Sequence, residues 1–115
     1  RVGVLFYGTT ALPIPEALDL LHVDGIALDS CRVRAFPFGT EVEAFVQEHD
    51  LVFVVEQNRD AQMRTLLINE LQTAPAKLVP VLYYAGLSIS ADTIHRQINE
   101  YFTANKLSRI SEVQS

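Results

Sequence analysis

Apolar runs and helix-spaced segments alternate four times along this chain, and that alternation restricts the fold more than any single residue does. The runs are Val2 to Tyr7, Ile26 to Arg34, Leu51 to Val55 and Leu78 to Tyr83. Between them, apolar residues recur at three- and four-residue intervals, the spacing of one buried helix face. Strands separated by helices and joined by short connections lie parallel, because the chain must return to the same end of the sheet before each new strand. The expected architecture is α/β: a three-layer α/β/α sandwich around a mainly parallel four-stranded sheet. Placing the third strand beside the first, and the second on the first one's other side, gives the order 2-1-3-4.

Local signals punctuate this frame. Gly8-Thr9-Thr10 ends the first run, and Ile14, Ala17, Leu18 and Leu21 mark the helix after it. Pro13 and Pro15 are compatible only with its first turn, where no intrahelical donor is needed, and Gly25 closes it. The second run alternates imperfectly, as a strand does when it is covered on both faces or lies near an edge. Thr40 with Glu43 reads as a capping box for the second helix, which presents Val42, Phe45, Val46 and His49 on one side. Leu51-Val52-Phe53-Val54-Val55 is short and uninterrupted, which suits a central parallel strand. The third helix is expected over 60–72, with Met63, Leu66, Leu67 and Leu71 inward. Pro80 inside the last run points to an edge strand. Ser90 caps a final helix whose core stripe is Ile94, Ile98, Tyr101 and Phe102.

The chain has 115 residues, enough for one domain with a core of its own, expected over 1–107 with a frayed tail over 108–115. Nine basic against fourteen acidic residues leave a net charge of −5, which argues against a nucleic-acid partner or an anionic membrane surface. The lone cysteine, Cys31, forbids an internal disulfide and any cysteine-held cluster within the chain, and fits a reducing, cytoplasmic setting. It reads as a small buried hydrophobe. The three histidines, His22, His49 and His95, have no metal-ligand spacing and read as surface residues. The opening Arg1-Val2-Gly3-Val4 enters a core strand at once, which suggests a domain of something longer.

In a sheet of this order, the ligand crevice lies at the carboxyl ends of the strands where the winding reverses. Two junctions meet there: Gly8-Thr9-Thr10 and the hydrophilic run Glu56-Gln57-Asn58-Arg59-Asp60. Neither a dinucleotide fingerprint nor a phosphate-binding loop is present. Thr9, Thr10 and free helix amides could hold an anion, although a capping threonine is the simpler reading. Glu56 and Asp60 could form an acid–base pair beside an Arg59 anion clamp, but no nucleophile accompanies them. The simpler account has Asn58 or Asp60 capping the third helix while the exposed loop recognises other protein. Two aromatic pairs, Phe36 with Phe38 and Tyr83 with Tyr84, fall at the same end of the sheet. They form a partner patch if exposed, or fold back onto the core.

Three stretches, VLFYGTTALPIPEALDLL, VRAFPF and VEQNRDAQMRTLLINE, resemble the alpha subunit of 2-oxoacid:ferredoxin oxidoreductases, most closely the 2-oxoglutarate type. PVLYYAGLSISA resembles a further segment of that family, and the resemblance runs from Arg1 to about Tyr101. The second proline of Leu12-Pro13-Ile14-Pro15 is one more than that pattern leads one to expect. The resemblance implies a domain similar to the transketolase carboxy-terminal domain, which braces a larger assembly. It implies a parent enzyme that decarboxylates a 2-oxoacid on thiamine diphosphate with Mg2+. Electrons then pass through iron–sulfur clusters to ferredoxin, and an acyl-CoA is released. Those cofactors are expected mainly in other domains or in the beta subunit, which would be this chain's partners, and no catalytic residue carries over. The alternative is a free-standing anion- or small-molecule-binding module that uses the Gly8–Thr10 turn and Arg59.

Overall fold

Strand β1 (Val2–Tyr7) and strand β3 (Leu51–Gln57) are almost wholly apolar because both of their faces are covered. A computed structural model describes residues 1–7, 13–34, 38–57, 62–83 and 89–109, with Gln57 placed by its backbone. The remaining elements are β2 (Asp29–Val33), β4 (Leu78–Tyr83) and the helices α1 (Ile14–Val23), α2 (Thr40–Glu48), α3 (Gln62–Leu71) and α4 (Ala91–Ala104). All strand pairs are parallel and the sheet order is β2-β1-β3-β4, as the alternation predicts.

Helices α1 and α4 cover one face. There Val4, Phe6, Phe53, Val55 and Val81 meet Ile14, Ala17, Leu21, Ile94, Ile98 and Phe102. Phe53 anchors this layer, edge-on to Tyr101 at 5.3 Å between centroids and stacked on Phe102 at 6.2 Å. On the opposite face Leu5, Val33, Val52, Val54 and Leu78 meet Val42 and Val46 of α2 and Met63 and Leu67 of α3. Helix α2 approaches β1 closely: a Cβ on Gly3 would lie 2.5 Å from Phe45 Cζ.

Helix ends follow their local chemistry. Pro13 is the cap residue just before α1 and Pro15 lies in its first turn, and Gly25 ends it at φ 82°, a left-handed geometry that suits glycine. Ser90 Oγ accepts the Thr93 N–H at 3.2 Å, capping α4 as expected. The capping box expected at α2 is not formed. Gly39 is the cap residue, with no side-chain bond, and Thr40 is already helical. The extended Gly39 backbone leaves the threonine one position too late to bend back over the first turn.

The two edges of the sheet differ. On β4, Leu78 and Leu82 turn backbone groups outward, and both are satisfied: Arg64 Nε donates to Leu78 O at 2.8 Å, while the Gln97 amide donates to Leu82 O at 2.8 Å and accepts from Leu82 N–H. Pro80 shares their parity, so its missing N–H also falls on the outer edge. This is a strand blunted against further pairing. On β2, Ser30 and Arg32 are exposed, which explains the imperfect alternation of that segment. Among the described residues, no helix is long and apolar enough to cross a membrane.

Candidate functional site

Where the winding reverses, β3 runs two residues beyond its apolar stretch, so the hydrophilic run begins inside the sheet. Glu56 pairs in register with Leu82, and Gln57 with Tyr83. By strand parity the Glu56 side chain follows Val52 and Val54 toward α2 and α3. It is 7% exposed, one of two buried polar side chains among the described residues.

Both carboxylate oxygens are engaged. Met63 N–H donates to Oε1 at 2.9 Å, and Arg64 N–H donates to Oε2 at 3.0 Å. These amides belong to the first turn of α3, whose leading N–H groups have no intrahelical acceptor. Glu56 satisfies two of them and sets its negative charge against the positive end of the helix dipole. Beyond its backbone bond to Glu56, Arg64 donates from Nε to Leu78 O and from Nη2 to Pro75 O at 2.9 Å, tying α3 to the entry of β4. The carboxylate thus joins the end of β3 to the start of α3.

Of the residues singled out in the sequence, Glu56 stands here. Thr9, Thr10, Asn58, Arg59 and Asp60 lie outside the described residues, as does the side chain of Gln57. The cap expected of Asn58 or Asp60 lies outside the described residues, while Glu56 accepts from two amides at the amino end of α3. A reading limited to adjacent residues misses this, because the carboxylate reaches seven and eight positions along the chain. Of the aromatic pairs, Phe38 packs against the α2/α3 layer and Tyr83 against the α1/α4 layer, so these members fold back onto the core. Phe36 and Tyr84 lie outside the described residues. Tyr7, at the end of β1, remains 47% exposed at this rim.

A second polar centre occupies the opposite end of the sheet. His49 is 2% exposed and not a surface residue. The helical stripe of α2 carries it inward past Gly3, where its Cδ2 would lie 3.1 Å from an added Cβ. Its Nδ1 lies 2.6 Å from Phe45 O and its Nε2 2.7 Å from Asp29 Oδ2. Arg1 Nη2 donates to the same Asp29 oxygen at 3.1 Å. Hydrogen bonding to His49 first, and to Arg1 second, holds the Asp29 carboxyl below its usual range. His95 is also not free on the surface, since its Nε2 meets Asp24 Oδ2 at the end of α1. Arg109, beyond α4, donates to Asp24 O and Asn99 Oδ1, joining the same two helices. Cys31 is half-buried, and burial followed by the Glu41 charge raises its thiol above the ordinary range, which suits the inert reading.

No protein-family model matches the chain, and no curated protein matches it. Solved structures do. A 2-oxoglutarate:ferredoxin oxidoreductase from Magnetococcus marinus, solved with 2-oxoglutarate, coenzyme A and succinyl-CoA bound, superposes with a TM-score of 0.67 at 23% identity. The match covers 87% of this chain and 17% of that one. The alpha chain of a probable 2-oxoacid ferredoxin oxidoreductase from Thermoplasma acidophilum matches with a TM-score of 0.56 at 25% identity, over 89% of this chain and 88% of that one. The structural neighbours are 2-oxoacid:ferredoxin oxidoreductases. The likeness stated from the sequence motifs is therefore the one the fold displays, and this chain spans a small part of the larger neighbour.

Proposed function

We propose that this chain is a docking domain, similar to the transketolase carboxy-terminal domain, in the alpha subunit of a thiamine-diphosphate-dependent 2-oxoacid:ferredoxin oxidoreductase. The domain spans 1–107 and leads into a tail at 108–115. The supporting observation is the likeness of most of this chain to a small part of an oxidoreductase chain. The parent enzyme converts a 2-oxoacid, best matched to 2-oxoglutarate, to an acyl-CoA and passes electrons to ferredoxin in the cytoplasm. The reaction takes place on other domains of the alpha subunit and on the beta subunit.

The cofactors of such an enzyme are assigned to its other domains. One cysteine cannot supply the thiolates of an iron–sulfur cluster. Among the described residues, no three His, Cys, Asp or Glu side chains converge on a metal position. The amino end of α3, a natural cradle for a phosphate, already holds the Glu56 carboxylate. A diphosphate or coenzyme A phosphate arriving there would meet a negative charge and amides already bonded. That arrangement favours protein contact over the alternative, an anion-binding module using the Gly8–Thr10 turn and Arg59.

Two measurements test the reading. The chain alone, supplied with thiamine diphosphate, Mg2+, 2-oxoglutarate, coenzyme A and an electron acceptor, should show no turnover; turnover would defeat the proposal. Arg59→Glu should weaken association with the rest of the enzyme while leaving the chain's own melting temperature nearly unchanged. An equal loss of melting temperature would make Arg59 structural. A rise in melting temperature with phosphate or coenzyme A, abolished by Arg59→Ala, would restore the anion-binding module.

A further inference from the structure

Side chains close the β4 edge of the sheet, and the β2 edge has no such cover. In a parallel ladder a residue bonds to the two neighbours of its register partner, so the partner itself bonds on its other side. Leu78 and Leu82 bond outward to Arg64 and Gln97, which leaves Val79 and Val81 bonding toward β3. The register runs from Val79 through Phe53 and Val4 to Ser30, and from Val81 through Val55 and Phe6 to Arg32. Ser30 and Arg32 therefore turn their backbone N–H and C=O groups outward. Among the described residues, no side chain or backbone group bonds to them there.

The side chains along this edge carry one sign of charge. By strand parity Ser30 and Arg32 share the α1/α4 face with Val4 and Phe6, and both are exposed. Arg34 follows one residue past the strand and is exposed as well. Among the described residues, neither arginine has an ion-pair partner. The neighbouring acidic groups lie on the other face: Asp29 bonds His49 and Arg1, and the Glu41 charge acts on Cys31, which packs in the α2/α3 layer. A chain of net charge −5 thus holds two unpaired cations beside a row of unfilled backbone groups. A second copy pairing here would bring the same arginines onto the same face of the joined sheet, where like charges destabilise a strand pair. An acidic strand brings opposite charges to those positions.

We propose that the β2 edge takes up an extended segment of another polypeptide as an added strand, with carboxylate side chains at alternate positions set against Arg32 and Arg34. The backbone groups of Ser30 and Arg32 supply the attachment, and the two guanidiniums select the acidic sequence. This surface runs along the side of the sheet, apart from the carboxyl rim, and stands whatever the rim contacts.

The test adds two end-capped peptides in turn to the 115-residue chain, one alternating valine with glutamate and the other valine with lysine. Amide exchange, read by nitrogen-15 spectra, follows each backbone N–H of β2. The glutamate peptide should slow exchange at Ser30 and Arg32 and leave Cys31 and Val33, already bonded to β1, nearly unchanged. The lysine peptide should bind at least about fivefold more weakly. In an Arg32→Glu chain the glutamate peptide should lose most of that advantage, while the melting temperature stays close to that of the wild type. No slowing at Ser30 and Arg32 with either peptide would overturn the proposal. So would equal binding of the two peptides, or an unchanged preference in the Arg32→Glu chain. Slowing at these amides when the chain's own concentration is raised, without peptide, would assign the edge to a second copy and overturn it too.

Discussion

The two faces of the sheet are built on different terms. Under α1 and α4 the described core is wholly apolar, from Val4 and Phe6 through Phe53 to Ile98 and Phe102. Under α2 and α3 the apolar layer is bracketed by the two buried polar side chains, His49 at the amino end and Glu56 at the carboxyl end. The first face is non-directional and its contribution scales with area buried. The second adds bonds of fixed geometry at both ends, and each leaves an unsatisfied group if it is broken. The face made only of apolar contacts has bulk, whereas the mixed face has register: Glu56 sets where α3 begins, and His49 sets where α2 ends. The segment proposed for docking leaves from the mixed face, where its stems are held by bonds rather than by packing alone.

The largest test of this contrast is Phe53→Ala. Removing the ring from between Tyr101 and Phe102 should cost about 3–5 kcal/mol in urea denaturation. A loss under about 1 kcal/mol would show that the α1/α4 layer closes over the gap and is not the tightly packed face. Next comes Glu56→Gln, nearly the same in shape. An amide has one accepting oxygen, so either Met63 or Arg64 loses its partner, and the expected cost is about 1–3 kcal/mol. Amide exchange should rise in the first turn of α3 and not in α1. Uniform exchange across both helices would mean that Glu56 contributes general stability and does not place the helix.

Gly3→Ala probes the close approach of α2. Its methyl would sit 2.5 Å from Phe45 Cζ and 2.8 Å from Cε1, the far end of a half-buried side chain. The ring must swing, at a cost of about 1–2 kcal/mol, and Phe45→Leu in the same chain should recover most of it. Equal losses with and without that second change would place the strain in the backbone. The smallest effect concerns acid. Asp29 titrates lower in the folded chain than in the unfolded one, chiefly through its bond to His49. Its contribution is therefore present above the unfolded carboxyl value of about 3.9 and is lost as pH falls through the lower folded value. Because its side chain is 53% exposed, solvent screening keeps this contribution small. Asp29→Asn should flatten the acid limb slightly, and an unchanged limb would remove Asp29 from the amino-end cluster.

Most of the frame was legible before the structure because it depends on short-range periodicity. Pro80 marked an edge, Gly25 and Ser90 marked helix ends, and Leu51 to Val55 marked a strand covered on both faces. The polar details were less legible. Thr40 and Glu43 match a capping box in residue type, but a cap requires a backbone turn one position earlier than the threonine occupies. Glu56 was singled out for its chemistry, yet its acceptor role depends on amides seven and eight residues away. His49 lay on the inward stripe of α2 and was still read as a surface residue, since its partner Asp29 is twenty positions away on another strand.

Apolar spacing along the sequence determined the element order, the parallel sheet and the residues facing inward, because burial of one helix face or both strand faces leaves a periodic record in a single segment. The pairing of polar groups was decided only by the tertiary structure. A carboxylate becomes a cap, and an imidazole a buried link between elements, through whatever distant segments the fold brings within about 3 Å of it, and hydrogen bonds carry no periodicity along the chain.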